Sequence, residues 1–207
     1  MAATLFYLVR NSRALAQVTA EIRSKFDNVE DIHQGPQLTS CTYLRACIDE
    51  AMRLSPSVGG LLPREVLTGG ITIDGERIPA GIVVGTPHYT IHHNAAYYPD
   101  PFSYVPERWI PGNGIDERNV ALAHSAFCPF SIGPRGCIGK GLAYIEMTIT
   151  LARLLFLYDV RRAQAIVDPG EGKPGAEFGR HRPGEFQLVD TFTSLKSGPM
   201  IEFRRRE

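Results

Sequence analysis

Residues 130–139 form a turn punctuated by Gly133, Pro134, Gly136 and Gly139, and it feeds straight into the longest apolar stretch of the chain, Leu142 to Tyr158. A stretch of that length without Gly or Pro reads as one helix, predicted from about Gly139 to Tyr158. Glu146 and Arg153 lie inside it, and a bilayer core would penalise both, so we read a core helix and no membrane span in this chain. The chain must therefore bring other elements over this helix. With 43% apolar residues among 207 it has the material for a sizeable core.

Net charge narrows the partners. Twenty-two Lys and Arg balance 22 Asp and Glu, with no basic block beyond Arg204, Arg205 and Arg206, which leaves no electrostatic footprint for nucleic acid or an anionic membrane surface. Cys41, Cys47, Cys128 and Cys137 form no CxxC and meet no His at zinc-finger spacing, so reduced thiols are expected, with neither a disulfide framework nor a structural zinc.

Before the turn, Leu5, Leu8, Val9, Leu15, Val18, Ile22 and Phe26 recur near helical spacing, and Asn11-Ser12 offers a break between two helices. Residues 1–9 lack a basic leader and Arg10 closes the run too early for a secretory signal. The chain is expected to open inside a helix. Little precedes the stripe that could cover it, so a partner chain or a longer parent is expected to do so. Asp27 to Gln37 reads as a loop. Thr39 to Leu54 reads as a helix capped by Thr39 or Ser40 and stopped at Ser55-Pro56. Ile71–Ile73, a turn at Asp74-Gly75, Arg77-Ile78 and Ile82–Val84 read as strands of one small sheet. Residues 86–136 are expected to be mostly irregular. The tail carries a Gly- and Pro-rich insert near Asp168 to Gly184 and strand candidates at Phe186–Val189 and Met200–Phe203. The class is mainly α with small β-sheets.

A Cys just before a helix N-terminus meets unpaired N–H groups and the positive dipole end, which favour a thiolate able to act as metal ligand or nucleophile. The glycines allow close backbone approach by a bulky planar group, and Arg135 is placed to pair with a carboxylate. A buried structural thiol fits the same spacing. On further inspection Phe130-x-x-Gly133-x-Arg135-x-Cys137-x-Gly139 resembles, at every fixed position, the haem-binding signature of the cytochrome P450 family. The resemblance implies that Cys137 is the axial thiolate of haem b, that Arg135 pairs with a propionate, and that Phe130 packs on the proximal side with Gly139 beside the ligand. Family members of this kind are the standard case of Cys-ligated haem, in which thiolate electron density favours O–O cleavage.

Two further motifs stand in the family's order. Glu50-Ala51-Met52-Arg53 is similar to its Glu-x-x-Arg element, and Pro106-Glu107-Arg108-Trp109 is similar to its Pro-Glu-Arg-Phe element. The resemblance makes Glu50, Arg53 and Arg108 a buried triad holding the loop that carries Cys137; without it Glu50 and Arg53 read as a solvated pair. Pro63-Arg64 resembles the position whose Arg reaches the other propionate. Val58, Leu61, Leu62 and Phe192 fall, by family position, at the substrate pocket, and their apolar character suits an apolar or aromatic substrate. The six His are assigned to packing or hydrogen bonding, with His88, His92 and His93 on a short helix of the family.

The resemblance covers essentially the whole chain, residues 1–207, but only the C-terminal part of the family's catalytic domain. The distal helix with its acid and alcohol pair is not among these residues, so no catalytic residue is assigned here and the chain is expected to be a fragment, a truncated gene model or a splice product. The expected activity is a haem-thiolate monooxygenase that puts one oxygen atom of O2 into a small substrate, with electrons from NADPH through a cytochrome P450 reductase docked on the proximal face. The expected home of the longer parent is the endoplasmic reticulum membrane, cytoplasmic face. Two other readings stand beside it: a non-catalytic haem-binding remnant or interaction module, and a haem-thiolate enzyme rearranging hydroperoxides. The wording around Gly59–Val66 and Cys128–Lys140 resembles filamentous-fungal members, among them benzoate para-hydroxylases and secondary-metabolite hydroxylases.

Overall fold

The computed structural model describes residues 1–207 except 113, 165, 178 and 207. Helices α1 (Ala2–Leu8) and α2 (Ser12–Lys25) are followed by a 3-10 turn at Val29–Asp31, the short α3 (Pro36–Thr39) and α4 (Thr42–Leu54). Strands β1 (Arg64–Glu65), β2 (Ile71–Ile73), β3 (Glu76–Ile78) and β4 (Val83–Val84) come next. Helices α5 (His88–His92), α6 (Glu117–Ser125) and α7 (Lys140–Leu157) follow, then β5 (Tyr158–Arg162) and β6 (Ile201–Arg205). The class is α+β, as the patterning requires.

The core lies between α2, α4 and the C-terminal half of α7. Val18 and Ile22 of α2, Leu44 and Ile48 of α4, and Leu151, Ala152 and Leu155 of α7 are buried together with Leu8 and Phe26. Each large aliphatic side chain removed from water this way contributes roughly 1.5–3 kcal/mol. The opening apolar stripe therefore finds its cover on α4 and α7 of the same chain, which corrects the expectation that a partner chain or a longer parent must supply it. Contacts of high sequence separation did the covering, and no local pattern announces those.

Several boundaries also differ from the expectation. Helix α4 starts at Thr42 because Pro36 initiates a separate turn that ends at Thr39, so neither Thr39 nor Ser40 caps it. Its N-cap residue, Cys41, offers no side-chain cap. Instead the Glu21 carboxylate of α2 accepts the N–H groups of Tyr43 at 3.0 Å and Leu44 at 2.9 Å. A carboxylate there satisfies two orphan donors and faces the positive end of the helix dipole. The expected single sheet is two: β2 pairs with β3 around Asp74-Gly75, while β4 pairs with β1, a two-residue strand outside the expected ones. Pro79 and Gly81 separate the pairs. Phe186–Val189 forms only isolated bridges, Glu171 with Phe186 and Val189 with Leu195. The partner of β6 is β5, which leaves α7 without a loop. Residues 86–136 contain α5 and α6; α6 gives little signal in the sequence because its apolar residues, Val120 to Ala123, are consecutive and trace no stripe, although Asp116 caps it through the N–H of Asn119 at 2.7 Å.

The tail is pinned by one buried carboxylate. Asp168 is 1% exposed and accepts from Arg10 at 2.9 Å, from the Gly170 N–H at 2.9 Å and from the Met200 N–H at 3.2 Å. Tyr7 adds a second tie: its hydroxyl bonds Ser55 Oγ at 2.7 Å and accepts the Phe186 N–H at 3.2 Å.

The cap across helices gives a direct test. Glu21→Ala should lower stability by about 1–2 kcal/mol, read from urea unfolding followed by circular dichroism, while Glu21→Gln, which keeps an acceptor, should recover about half or more of it. Equal losses in the two variants would show that the acceptor is not what matters.

Candidate functional site

Glu50 and Arg53 lie one turn apart on α4, and both side chains are fully buried. Arg53 donates to both carboxylate oxygens, Nε to Oε2 at 2.9 Å and Nη2 to Oε1 at 2.8 Å. From the 3-10 turn Pro106–Trp109, Arg108 Nε reaches Oε1 at 3.2 Å and Trp109 Nε1 reaches Oε2 at 3.1 Å, while the Val105 N–H donates to Oε1 at 3.0 Å. Arg53 spends its remaining donors on backbone carbonyls of His92 at 2.8 Å, Pro101 at 2.7 Å and Ser103 at 3.1 Å. A solvated surface pair is excluded. Trp109 is a member that the motif comparison missed; an indole N–H in place of a phenyl ring is the signal that could have found it.

Among the described residues, no hydrogen bond of Glu50, Arg53 or Arg108 reaches segment 126–139. The expected hold of the triad on the Cys137 loop is therefore indirect. Two neighbours bridge the gap: Trp109 packs against Phe127, ring centroids 4.6 Å apart, and the His92 ring accepts the Cys128 N–H at Nε2, 3.0 Å away.

The Cys137 turn is shaped by two left-handed residues, Ser131 at φ 59° and Gly133 at φ 70°. A non-glycine residue in that region is uncommon and marks a loop whose path is over-determined by its surroundings. The Ser131 N–H donates to Cys128 O at 2.9 Å, the Gly136 N–H to Gly133 O at 3.0 Å, and the Cys137 N–H to Phe130 O at 2.8 Å, closing the loop on itself. Phe130 packs on Tyr144 of α7 with centroids 5.3 Å apart. Cys137 then stands exposed three residues before Lys140 opens α7. The alternative of a buried structural thiol does not hold.

The other three thiols differ in kind. Cys41 and Cys47 are buried and Cys128 is half-buried. Burial pushes Cys41 up to about 11 and raises Cys47 and Cys128 as well, so all three stay protonated at neutral pH.

Around Cys137 the surface is apolar: Ile132 is 75% exposed, Leu142 62% and Ile138 fully exposed. Side chains this exposed and clustered mark a binding surface. A Cβ added at Gly139 would stand 3.8 Å from the Cys137 sulfur, so glycine keeps that flank of the sulfur open. Among the described residues the Arg135 side chain makes no hydrogen bond or ion pair, and the Arg64 guanidinium donates only to the neighbouring Pro63 carbonyl, at 2.8 Å. An accessible soft sulfur, an apolar surround and two uncommitted guanidinium groups fit a planar iron porphyrin with carboxylate arms.

The pocket segments are brought together. The Ser194 N–H donates to Ser57 O at 2.7 Å, joining the 57–62 loop to the tail tip. Leu61 and Phe192 are exposed, Phe192 at φ 71°, and Val58 and Leu62 are half-buried. None of these four lines the neighbouring cleft of about 560 Å³, whose walls include Gly60, Tyr89, Arg182, Glu185 and Asp190. Among the described residues no cluster of His, Cys, Asp or Glu could hold a metal by itself, and no helix is long and apolar enough to cross a membrane.

A profile of the cytochrome P450 family matches residues 1–185. The chain is 48% identical over 209 residues to the cytochrome P450 monooxygenase AKT7 of Alternaria alternata, covering 99% of this chain and 40% of that protein. It is 48% identical over 210 residues to the monooxygenase apf8 of Gibberella fujikuroi, covering all of this chain and 55% of that protein. The monooxygenase atnE of Emericella nidulans is 43% identical over 208 residues, 38% of its length. The chain thus spans about two fifths to just over half of these relatives.

Two predictions follow from the geometry. Glu50→Gln keeps the shape but leaves two guanidinium groups without their counter-charge, and should cost roughly 3–5 kcal/mol in urea unfolding; a loss below about 1 kcal/mol would refute the buried-hub description. Burial, reinforced by neighbouring His88, Arg53 and His93, pushes His92 down to about 3, and burial holds His93 at about 4. Unfolded, both titrate near 6.5, so the unfolded state takes up more protons below that pH. Stability should be full above about pH 6.5 and fall towards pH 5 with a slope approaching about 1.4 kcal/mol per pH unit per histidine. Urea midpoints that do not change between pH 7 and pH 5 would contradict it.

Proposed function

The chain belongs to the cytochrome P450 family, and from that premise we propose that it supplies the thiolate ligand and proximal wall of a haem-dependent monooxygenase, which inserts one oxygen atom of O2 into a small apolar or aromatic substrate using electrons from an NADPH-dependent reductase. The observation that carries this is the contrast among the thiols: Cys137 is exposed at the mouth of a glycine-bent turn, while burial keeps the other three protonated.

A bound iron porphyrin supplies one-electron and oxygen chemistry that no side chain of this protein possesses. The protein's own work is placement. Cys137 presents its sulfur in a fixed direction because its N–H is tied to Phe130 O and its carbonyl accepts the Lys140 N–H at 3.3 Å. Arg135 and Arg64 would hold the carboxylate arms of the bound ring through charge-assisted hydrogen bonds. With the ring seated against them, Ile132, Ile138 and Leu142 would keep water from the sulfur side, which would strengthen every electrostatic interaction there. Exposed Lys140, three residues beyond Cys137, offers a positive charge that an acidic surface of a docking reductase would meet. On the substrate side, exposed Leu61 and Phe192 offer apolar surface, which supports an apolar or aromatic substrate.

Haem reconstitution tests the ligand. The reduced, carbon monoxide-treated wild type should give the difference band of thiolate-ligated haem and Cys137→Ala should lose it, while Cys41→Ala, Cys47→Ala and Cys128→Ala keep it. The same band in Cys137→Ala would end the assignment.

A further inference from the structure

Neither the triad nor the Cys137 turn accounts for the most deeply buried imidazole, His92, which is 0% exposed at the C-terminal end of α5. Its backbone carbonyl accepts from Arg53 Nη1 at 2.8 Å, and its ring Nε2 accepts the Cys128 N–H at 3.0 Å. An acceptor at Nε2 places the ring proton on Nδ1. Nδ1 is buried and has no hydrogen-bond partner among the described residues. Leaving a buried donor unpaired is costly, and a phenyl ring would fill the same space without that cost. What the site gains from an imidazole is therefore the acceptor aimed at Cys128.

Cys128 stands at the base of the ligand loop. Its carbonyl takes the Ser131 N–H, and two residues on, Phe130 O takes the Cys137 N–H. The His92 ring also stacks on Phe127, centroids 5.5 Å apart at 30°. A continuous path runs from Glu50 through Arg53 to the backbone of His92, then through its ring to Cys128 and on to Cys137. The other bridge, Trp109 on Phe127, is a ring-to-ring contact that offers no acceptor to a backbone amide.

We propose that His92 is the positioning residue that transmits the order of the buried Glu50 cluster to the Cys137 loop, through the hydrogen bond from the Cys128 amide to Nε2. Its importance for haem ligation rests on the reading of Cys137 given above; the wiring itself does not. In this role the ring's neighbours matter as scaffolding: His88 stacks on it at 6.2 Å and Tyr98 meets it edge-on at 6.5 Å.

Amide hydrogen exchange of the full chain without added haem, followed by mass spectrometry, tests this. His92→Phe keeps the ring and its stacking but removes the acceptor; His92→Gln restores an acceptor oxygen at nearly the same reach. In His92→Phe, exchange across 126–137 should rise by about tenfold or more while α4 stays as protected as in wild type, and His92→Gln should return it most of the way. Unchanged exchange across 126–137 in His92→Phe would overturn the proposal, and so would an equal rise in every segment, which would make His92 a packing residue only. Because the readout is the loop's own amides, a negative result refutes the wiring whether or not Cys137 binds iron. The ligand assignment fails separately, if the carbon monoxide band persists in Cys137→Ala, and that outcome would leave the exchange result for His92 untouched.

Discussion

A single buried carboxylate organises this chain. Glu50 takes five hydrogen bonds from Arg53 twice, Val105, Arg108 and Trp109. A carboxylate and a guanidinium removed from water lose several kcal/mol of hydration each, and attraction repays that only with good geometry and no donor left over. Here one helix and one distant loop must arrive together for the count to close. An apolar cluster of the same volume would tolerate shifts of the Val105–Trp109 segment that this one does not. The chain thus spends stability on a fixed backbone path in a region with little regular structure.

The same logic separates the four thiols. Desolvation disfavours the anion at Cys41, Cys47 and Cys128, whereas Cys137 is held clear of the core by a loop in which Ser131 and Gly133 take left-handed conformations. One cysteine is kept outside while the chain around it is tied inward. A rigid scaffold beneath an exposed reactive loop is a common division of labour in binding and catalysis.

What the sequence made legible follows from how local each signal is. The turn at 130–139, the helix after it and the Glu50–Arg53 spacing are local patterns, and the structure carries all three. Helix α6, strands β1 and β5 and the Glu21 cap on α4 were not legible. Two-residue strands have no period to read, β5 begins inside an apolar run that reads as helix, and Glu21 caps a helix 21 residues further on. The hydrogen bond from Cys128 to His92 spans 36 residues and uses a backbone donor, which any residue type supplies, so the sequence offers no signal for it. Trp109 lies between these extremes: its position was read from the motif, but its indole N–H could be placed only once Glu50 was known to be buried.

The central claim is that the buried charge cluster and the ligand loop are energetically coupled through His92. A double-mutant cycle in urea unfolding, combining Glu50→Gln with His92→Phe, measures that coupling directly. The account predicts that the double variant departs from additivity by about 1 kcal/mol or more, because loosening the cluster already frees the residue that holds the loop. Additivity within about 0.5 kcal/mol would show two independent features that merely lie near each other, and the account would fail.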